Sequence, residues 1–384
     1  MTGWASGVWA SGGWDWQPPG RIIAGPGCLA RLAELAPERD ILLVTSAGWV
    51  TRGVTARIEA ALEEARIALY DKVLPNPDID DLDAALPLLR QTNPALILAL
   101  GGGSVIDTAK ALALALPAAG WSFAGHFRAG GALPETEALP ILAVPTTAGT
   151  GAEVTPFATI WDKANRRKHS LHSPALIPRG VLLDAELTLG LPRATTLHAG
   201  LDALSHALEA IWNRNANSLS NGFALQALRL ILAHLPAVLE KPDSLADRAA
   251  MLEASLLAGC AITQTRTALV HSMSYPLTAH LGVPHGLACG AFLSGVLAYN
   301  AAADDGRIAA AAQALGHADA AGLAAVLEGL LARIGLPQEL AAHGVTRAAA
   351  ESLAGEMITP ARAGNNLRAA GPPDVLDIVR RAMD

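Results

Sequence analysis

The sequence predicts two domains, an α/β domain with a parallel sheet followed by an all-α domain. Up to about residue 192, short apolar runs alternate with stretches of helical periodicity, as strands and helices do in a parallel sheet. Beyond that point long Ala/Leu-rich stretches follow one another, and both residues favour helices. The length of 384 residues also exceeds what one hydrophobic core usually serves.

Three short apolar runs predict buried strands, at residues 41–45, 95–100 and 141–144. Between the first two, residues 55–65 and 81–90 repeat apolar side chains at helical spacing. This order of strands and helices predicts a parallel sheet with helices on both faces.

The change from alternating strand and helix patterns to Ala/Leu-rich stretches places the boundary between the domains near Pro192. We expect an N-terminal, tryptophan-rich arm at residues 1–20, the α/β domain at 21–192 and the helical domain at 193–384. The helices predicted in the last of these are residues 198–212, 218–239, 244–263, 308–315 and 323–334.

Composition favours a small soluble ligand and a cytoplasmic location. The net charge is −7 with no basic block, which argues against nucleic acid or an anionic membrane as partner. We find no signal peptide and no run of about 18 apolar residues that predicts a membrane span. The three cysteines, Cys28, Cys260 and Cys289, are far apart, which argues against a disulfide framework and against a zinc site built from thiolates.

A glycine-rich turn follows the predicted strand at 95–100. Three glycines and Ser104 open a helix there, and the free N–H groups of such a turn suit a pyrophosphate. The sequence is not the G-x-G-x-x-G fingerprint, so a tight strand-to-helix turn without a ligand is the alternative. The segment PTTAGTGAE at 145–153 also follows a predicted strand, and a second polar turn at the same edge favours a ligand.

Two further segments carry metal-ligand residue types. Asp202 and His206 are four apart in a strongly helical segment, so both side chains project from one helical face. His271 and His285 are 14 apart, and Pro276 and Pro284 between them favour turns that would bring the two histidines together. Imidazole and carboxylate together suit Fe²⁺ or Zn²⁺ better than Mg²⁺ or Ca²⁺.

These residues resemble those of the iron-containing, or group III, alcohol dehydrogenase family. The resemblance runs from residue 21 to the C-terminus and is carried by GGGSVIDTAK at 101–110, PTTAGTGAEVT at 145–155, GLDALSHALE at 200–209 and the H-x(13)-H stretch at 271–285. It implies a Rossmann-like domain followed by a helical domain, the fold shared with dehydroquinate synthase. Members are commonly dimers or larger homo-oligomers.

The resemblance also implies a set of site residues. Asp202, His206, His271 and His285 would hold Fe²⁺, with Zn²⁺ as an alternative, so that His271 is catalytic as well. The residues implied for binding NAD(P)H are Ser46, Asn76, Gly101, Gly102, Gly103, Ser104, Asp107, Thr146, Thr147, Thr150 and Lys168.

Two departures from the family pattern bear on function. Many members carry an acidic residue where this chain has Ser46, with Arg52 shortly after, so NADPH is an alternative to NADH. Many also carry a histidine where this chain has Tyr275. The expected mechanism is polarisation of an aldehyde by the metal and hydride transfer from the nicotinamide. Water or Tyr275 then supplies the proton.

Within the family, residues 209–217, 265–268 and 274–278 look most like the phosphonoacetaldehyde reductase branch. That branch reduces phosphonoacetaldehyde to 2-hydroxyethylphosphonate, and arginines suit such an anionic tail. Another short aldehyde, such as sulfoacetaldehyde or lactaldehyde, is the alternative substrate. A dehydroquinate-synthase-like lyase and a non-catalytic binding protein are the alternatives of other classes. The candidate substrate contacts are Arg266, Ile262, Arg362 and Arg368.

Overall fold

The computed structural model describes residues 15–383, so most of the predicted N-terminal arm lies outside the described residues. The chain divides into two compact units. One consists of Gln17–Thr147 and Gly151–Leu189, and the other includes Ala148–Thr150 and the residues from Gly190 onward. The predicted domain limits at residues 20 and 192 remain predictions.

The first unit contains a parallel sheet, which confirms the predicted fold class. Its six strands lie in the order β1-β8-β5-β4-β2-β3, and neighbouring strands pair in parallel. They are β1 Arg21–Ala24, β2 Asp40–Val44, β3 Arg66–Tyr70, β4 Leu96–Gly101, β5 Ile141–Pro145 and β8 Gly180–Leu183. A separate antiparallel hairpin joins β6 Phe157–Asp162 to β7 Arg167–His172.

Successive side chains of each central strand enter different hydrophobic clusters, which shows that both faces of the sheet are covered. Leu42 and Ile97 belong to one cluster, whereas Leu43 and Leu98 belong to another. A strand buried on both faces reads as a continuous apolar run, which is why β2, β4 and β5 were predictable. The helices of this unit are α1 Ala47–Thr51, α2 Val54–Ala61, α3 Ile79–Arg90, α4 Gly103–Ala115 and α5 Phe123–Phe127.

The sequence did not reveal β1, β3 or β8. The residues of β3 are exposed or half-buried, and it lies at the edge of the sheet. β1 and β8 have only four residues each. Short and edge strands lack the long apolar run that marks a central strand.

The second unit is helical, as expected. Its core includes α6 Arg193–Ile211, α7 Ser218–Glu240 and α8 Leu245–Thr265. The remaining helices are α9 Leu269–Leu281, α10 His285–Gly290, α11 Leu293–Ala301, α12 Arg307–Ala314, α13 Ala320–Arg333, α14 Leu336–Ala342, α15 Arg347–Leu353, α16 Pro360–Ala363 and α17 Pro372–Met383.

Among the described residues, α7 is the single unbroken helix long and apolar enough to cross a membrane by length and composition alone. Its side chains Ala224, Leu228, Ile231 and Leu235 are buried in the core of the helical unit. One face of α7 is therefore buried and the other is partly exposed, and the expectation of no membrane span stays a prediction.

The predicted turn at Pro276 is wrong. Pro276 lies inside α9, and the helix tolerates the missing N–H of the proline. The buried residues of this helix lie between Leu269 and Leu277. The chain turns instead at Gly282, which ends α9 with φ 68°, a conformation that glycine adopts without steric cost. Pro284 lies between the two helices and directly precedes His285, the first residue of α10.

Candidate functional site

Three imidazoles and one carboxylate converge in the helical unit. The Nε2 atoms of His206, His271 and His285 lie 3.7, 3.5 and 3.8 Å from Oδ1 of Asp202. The rings of His206 and His271 stack with their centroids 4.7 Å apart. The structure thus brings together all four residues of the predicted ligand set.

Local structure explains this convergence. Asp202 and His206 are one turn apart on α6, and His285 is the first residue of α10. Gly286 lets α10 approach α6 closely, because a Cβ atom there would lie 1.8 Å from the carbonyl oxygen of His198. A side chain at position 286 would therefore move His285 away from Asp202.

Glu209 is a buried residue of this site that sequence reasoning did not single out. Its Oε2 accepts a hydrogen bond from Nδ1 of His271 at 2.7 Å, and the same carboxylate accepts from the backbone N–H groups of Ala268 and His271. Glu209 follows His206 by three positions on α6, so it lies on the ligand face. That spacing was the available signal, since metal-binding histidines usually donate their other N–H to a carboxylate or carbonyl.

The site has the chemical character of a metal site. Asp202 and His271 are 4% and 3% exposed, yet within residues 15–383 Oδ1 of the first and Nε2 of the second have no hydrogen-bond partner. Buried polar atoms without partners are costly. Two nitrogen or oxygen donors on one tetrahedral ion, with bonds of about 2.0–2.2 Å, stand roughly 3.3–3.6 Å apart. The observed spacing therefore fits a divalent ion.

The electrostatic surroundings of His206 and Asp202 favour the protonation states in which these two residues bind a cation. Burial lowers the pKa of His206 to about 4, although Asp202 beside it acts in the opposite direction, so the ring is neutral at pH 7. Burial acts to raise the pKa of Asp202, but the neighbouring imidazoles hold that pKa well below its usual range. A neutral imidazole and an ionised carboxylate are the forms that bind a cation.

Tyr275 and Arg362 extend the site from His285. The ring of Tyr275 stacks on His285 with centroids 6.1 Å apart, and the guanidinium of Arg362 lies 4.6 Å from the centroid of Tyr275. Burial raises the pKa of Tyr275 to about 12 even though the charge of Arg362 acts to lower it. The phenol therefore keeps its proton at neutral pH and can donate a hydrogen bond.

The other predicted substrate contacts lie in different surroundings. Ile262 is buried within α8. Arg266 is exposed and has φ 63°, which is unfavourable for a residue with a side chain, and its carbonyl accepts hydrogen bonds from Asn213 and Thr265. The guanidinium of Arg368 packs on Tyr299 at 4.0 Å rather than on Tyr275.

The predicted cofactor turns meet at the carboxyl edge of the sheet. Gly101 pairs with Pro145 where β4 and β5 end. A Cβ atom at Gly102 would lie 2.8 Å from Oγ1 of Thr147, so the close approach of the two turns favours glycine there. Oγ of Ser104 accepts a hydrogen bond from the backbone N–H of Asn76, which adds a third segment to this edge.

The remaining predicted cofactor residues are more dispersed. Ser46 follows β2 and precedes α1, so it lies at the same edge as Gly101. Oδ2 of Asp107 accepts from the backbone N–H of Thr159 and so connects α4 to β6. Lys168 lies on β7, with its ammonium 5.8 Å from the ring centroid of Trp161. Thr146 follows β5, Gly103 begins α4, and Thr150 falls in the short segment grouped with the helical unit.

The parallel sheet with its glycine-rich edge and the buried imidazole–carboxylate cluster fit a metal-dependent dehydrogenase. The family model described as iron-containing alcohol dehydrogenase matches residues 19–185. The model described as Fe-containing alcohol dehydrogenase family, C-terminal, matches residues 196–383. The chain belongs to the iron-containing alcohol dehydrogenase family and is an oxidoreductase.

Individual relatives agree with this assignment. The chain is 37% identical over 376 residues to the phosphonoacetaldehyde reductase of Streptomyces viridochromogenes, covering 91% of this chain and 93% of that protein. It is 30% identical over 380 residues to the NAD-dependent methanol dehydrogenase of Bacillus methanolicus, covering 95% and 98%. The crystal structure of sulfoacetaldehyde reductase from Bifidobacterium kashiwanohense in complex with NAD⁺ matches with a TM-score of 0.89 at 31% identity, covering 97% and 99%.

Proposed function

We propose that the protein reduces a short aldehyde with an anionic tail to the corresponding alcohol, using NAD(P)H and a divalent metal ion. Phosphonoacetaldehyde, reduced to 2-hydroxyethylphosphonate, is the proposed substrate. Relatives named for phosphonoacetaldehyde and sulfoacetaldehyde support this proposal, because both aldehydes carry an anionic group beside the carbonyl. The ion is Fe²⁺, with Zn²⁺ as the alternative, and its proposed ligands are Asp202, His206, His271 and His285.

The observation that carries the anionic tail is the position of Arg362. Its guanidinium lies over Tyr275, and Tyr275 stacks on His285, so one ring separates this positive charge from a proposed metal ligand. The Arg362 side chain is half-buried. A partly desolvated guanidinium binds phosphonate or sulfonate oxygens through two parallel hydrogen bonds.

When bound, a divalent ion supplies Lewis-acid polarisation of a carbonyl group. The protein's own residues supply the surroundings of the reaction. Glu209 holds the His271 ring in one tautomer through Nδ1, and Tyr275 donates a hydrogen bond from its protonated phenol to the substrate oxygen. Arg362 orients the tail, and the burial of Asp202 keeps bulk water from its carboxylate.

For the cofactor, we propose the carboxyl edge of the sheet, with the pyrophosphate at the N-terminus of α4. Gly101 and Gly102 there have no side chains to block close approach to the backbone. Ser46 offers no carboxylate to repel a 2′-phosphate, and Arg52 six residues later adds a positive charge. We therefore propose that NADPH is accepted alongside NADH.

Initial rates with a panel of aldehydes test the substrate proposal. The panel holds phosphonoacetaldehyde, sulfoacetaldehyde, lactaldehyde, succinic semialdehyde and propionaldehyde, each with NADH and NADPH. We expect the largest kcat/KM for phosphonoacetaldehyde. A larger kcat/KM for an unsubstituted aldehyde than for both anionic aldehydes would overturn the proposal.

Variants of two arginines test the role of Arg362. We expect Arg362→Gln to lower kcat/KM for phosphonoacetaldehyde by roughly tenfold or more and to leave propionaldehyde nearly unchanged. Arg368→Gln, which alters an arginine that packs on Tyr299 instead, is the matched control. Equal losses on both substrates would show that Arg362 does not recognise the tail.

We further propose that the enzyme works in the cytoplasm as a homodimer or larger homo-oligomer. The cysteines Cys28, Cys260 and Cys289 are buried and form no disulfide, which supports a reducing compartment. Sedimentation velocity at two protein concentrations tests the oligomeric state, and a single species of monomer mass at both would contradict it.

A further inference from the structure

Cys289 lies against the proposed metal ligands. Its Sγ is 3.9 Å from Nε2 of His285 and 4.0 Å from Nδ1 of the same ring. Donor atoms of Asp202, His271, His285 and Cys289 all lie within 4.8 Å of one another. A soft sulfur donor is therefore part of the cluster.

We propose that Cys289 is a further ligand of the metal ion, so that the site is a mixed imidazole, carboxylate and thiolate centre. This inference rests on the proposed function, because it concerns the same metal ion. It adds a donor that neither the spacing of the histidines nor the family resemblance assigns. The Sγ–metal bond forms as the thiol proton leaves to water, since cysteine binds metals as thiolate.

The fold directs Cys289 to this position. His285 and Cys289 are four residues apart on α10, so both side chains lie on one face of that helix. Cys289 is fully buried, and two of the atoms that share its cluster, Oδ1 of Asp202 and Nε2 of His271, are buried without hydrogen-bond partners among residues 15–383. A bound ion satisfies all of these atoms at once.

The spacing agrees with a shared ion. With Cys289 the ion has five protein donors, and two donors 120° apart on a five-coordinate ion, at bonds of about 2.3 Å to sulfur and 2.0–2.1 Å to nitrogen, stand roughly 3.8 Å apart. The observed separation of 3.9 Å between Sγ and Nε2 of His285 is close to this value. Small rotations of the two side chains suffice to reach it.

A thiolate ligand changes the chemistry of the site. One carboxylate leaves a divalent ion with a net charge of about +1, whereas a carboxylate and a thiolate together cancel its charge. Thiolate also favours zinc and iron over the hard cations. The identity of residue 289 thus tunes both the choice of metal and its Lewis acidity.

Zinc-edge X-ray absorption on the full-length, zinc-loaded protein tests the proposal without reference to activity. We expect one sulfur at about 2.3 Å beside nitrogen and oxygen at about 2.0–2.1 Å. Cys289→Ser and Cys289→Ala should lose the sulfur shell. Cys260→Ser, which removes another buried thiol of the same unit, should keep it.

The outcomes separate the two proposals. A zinc-bound wild-type protein with only nitrogen and oxygen neighbours would overturn the thiolate ligand and leave the imidazole–carboxylate site standing. A wild-type protein that holds no metal would overturn the metal site itself. If the Cys289 variants fail to fold, the wild-type spectrum alone decides the question.

Discussion

Nδ1 of His271 donates a hydrogen bond to Oε2 of Glu209 at 2.7 Å. When the ring is neutral, this contact leaves its lone pair on Nε2, 3.5 Å from the carboxylate of Asp202. A buried carboxylate behind a histidine fixes the tautomer and orientation of the ring and raises its basicity as a ligand. Glu209 would therefore hold the proposed ligand His271 in the tautomer and orientation that bind a metal.

Glu209→Gln should weaken metal binding by about 10–100-fold. The amide keeps the volume of the side chain but removes the negative charge that faces Nδ1. Titration of the metal-free protein with Zn²⁺ against a competing chelator measures the change. Glu253→Gln, an exposed position on α8, is the control, and an unchanged zinc affinity in Glu209→Gln would refute the positioning role.

His271→Ala should abolish metal retention and activity together, because it removes the ligand closest to Asp202. Metal analysis of the purified protein and NADH oxidation with an aldehyde measure the two losses. His280→Ala changes a histidine of the same helix that pairs with Glu356 instead, and it should retain both properties. Normal turnover by a metal-free His271→Ala protein would refute the assignment of His271 to a metal site that is needed for activity.

Gly102→Ala should weaken NAD(P)H binding and leave the metal content unchanged. The added Cβ would lie 2.8 Å from Oγ1 of Thr147, so the Thr147 side chain must rotate or the two turns at the edge of the sheet must shift. Fluorescence titration with NADH measures the dissociation constant. Gly222→Ala on α7, where a Cβ meets nothing within 4 Å, is the control; similar affinities for both variants would contradict a cofactor site at Gly102.

Glu153 predicts a pH dependence of stability. Burial raises its pKa from 4.5 to about 7, so the folded state holds a proton that the unfolded state releases. The contribution of this proton is complete below pH 4.5 and is lost as the pH rises through 7. The loss is on the order of 3 kcal/mol. Burial lowers the pKa of the neighbouring Lys110 to about 8, so the contribution of Lys110 to stability changes at higher pH than that of Glu153.

Urea unfolding between pH 5 and pH 8 measures this effect. We expect the wild type to lose stability across this range more steeply than Glu153→Gln, which carries no titrating group. Glu137→Gln removes an exposed carboxylate of the same unit and should follow the wild type. Parallel curves for wild type and Glu153→Gln would show that Glu153 does not titrate in this window.

Much of the fold could be predicted because its signals are local. Apolar runs marked β2, β4 and β5, and Ala/Leu-rich stretches marked α6, α7 and α8. The edge strand β3 and the short strands β1 and β8 were missed because their pairing depends on distant segments. The turn expected at Pro276 was wrong because tertiary packing of α9 outweighs the local preference of proline.

The sequence by itself determined the residue types of the site and the spacing of Asp202 and His206, since a helix places positions four apart on one face. The residue types also marked His271 and His285 as candidates, and the resemblance of the motifs joined the two pairs into one ligand set. Only the tertiary structure decided which further side chains reach the cluster. Spacing along α6 and α10 places Glu209 and Cys289 on the same helical faces as His206 and His285. That Glu209 meets His271, that Cys289 meets the cluster and that Arg362 of α16 meets Tyr275 depends on contacts between distant segments, which leave no periodic trace in the chain.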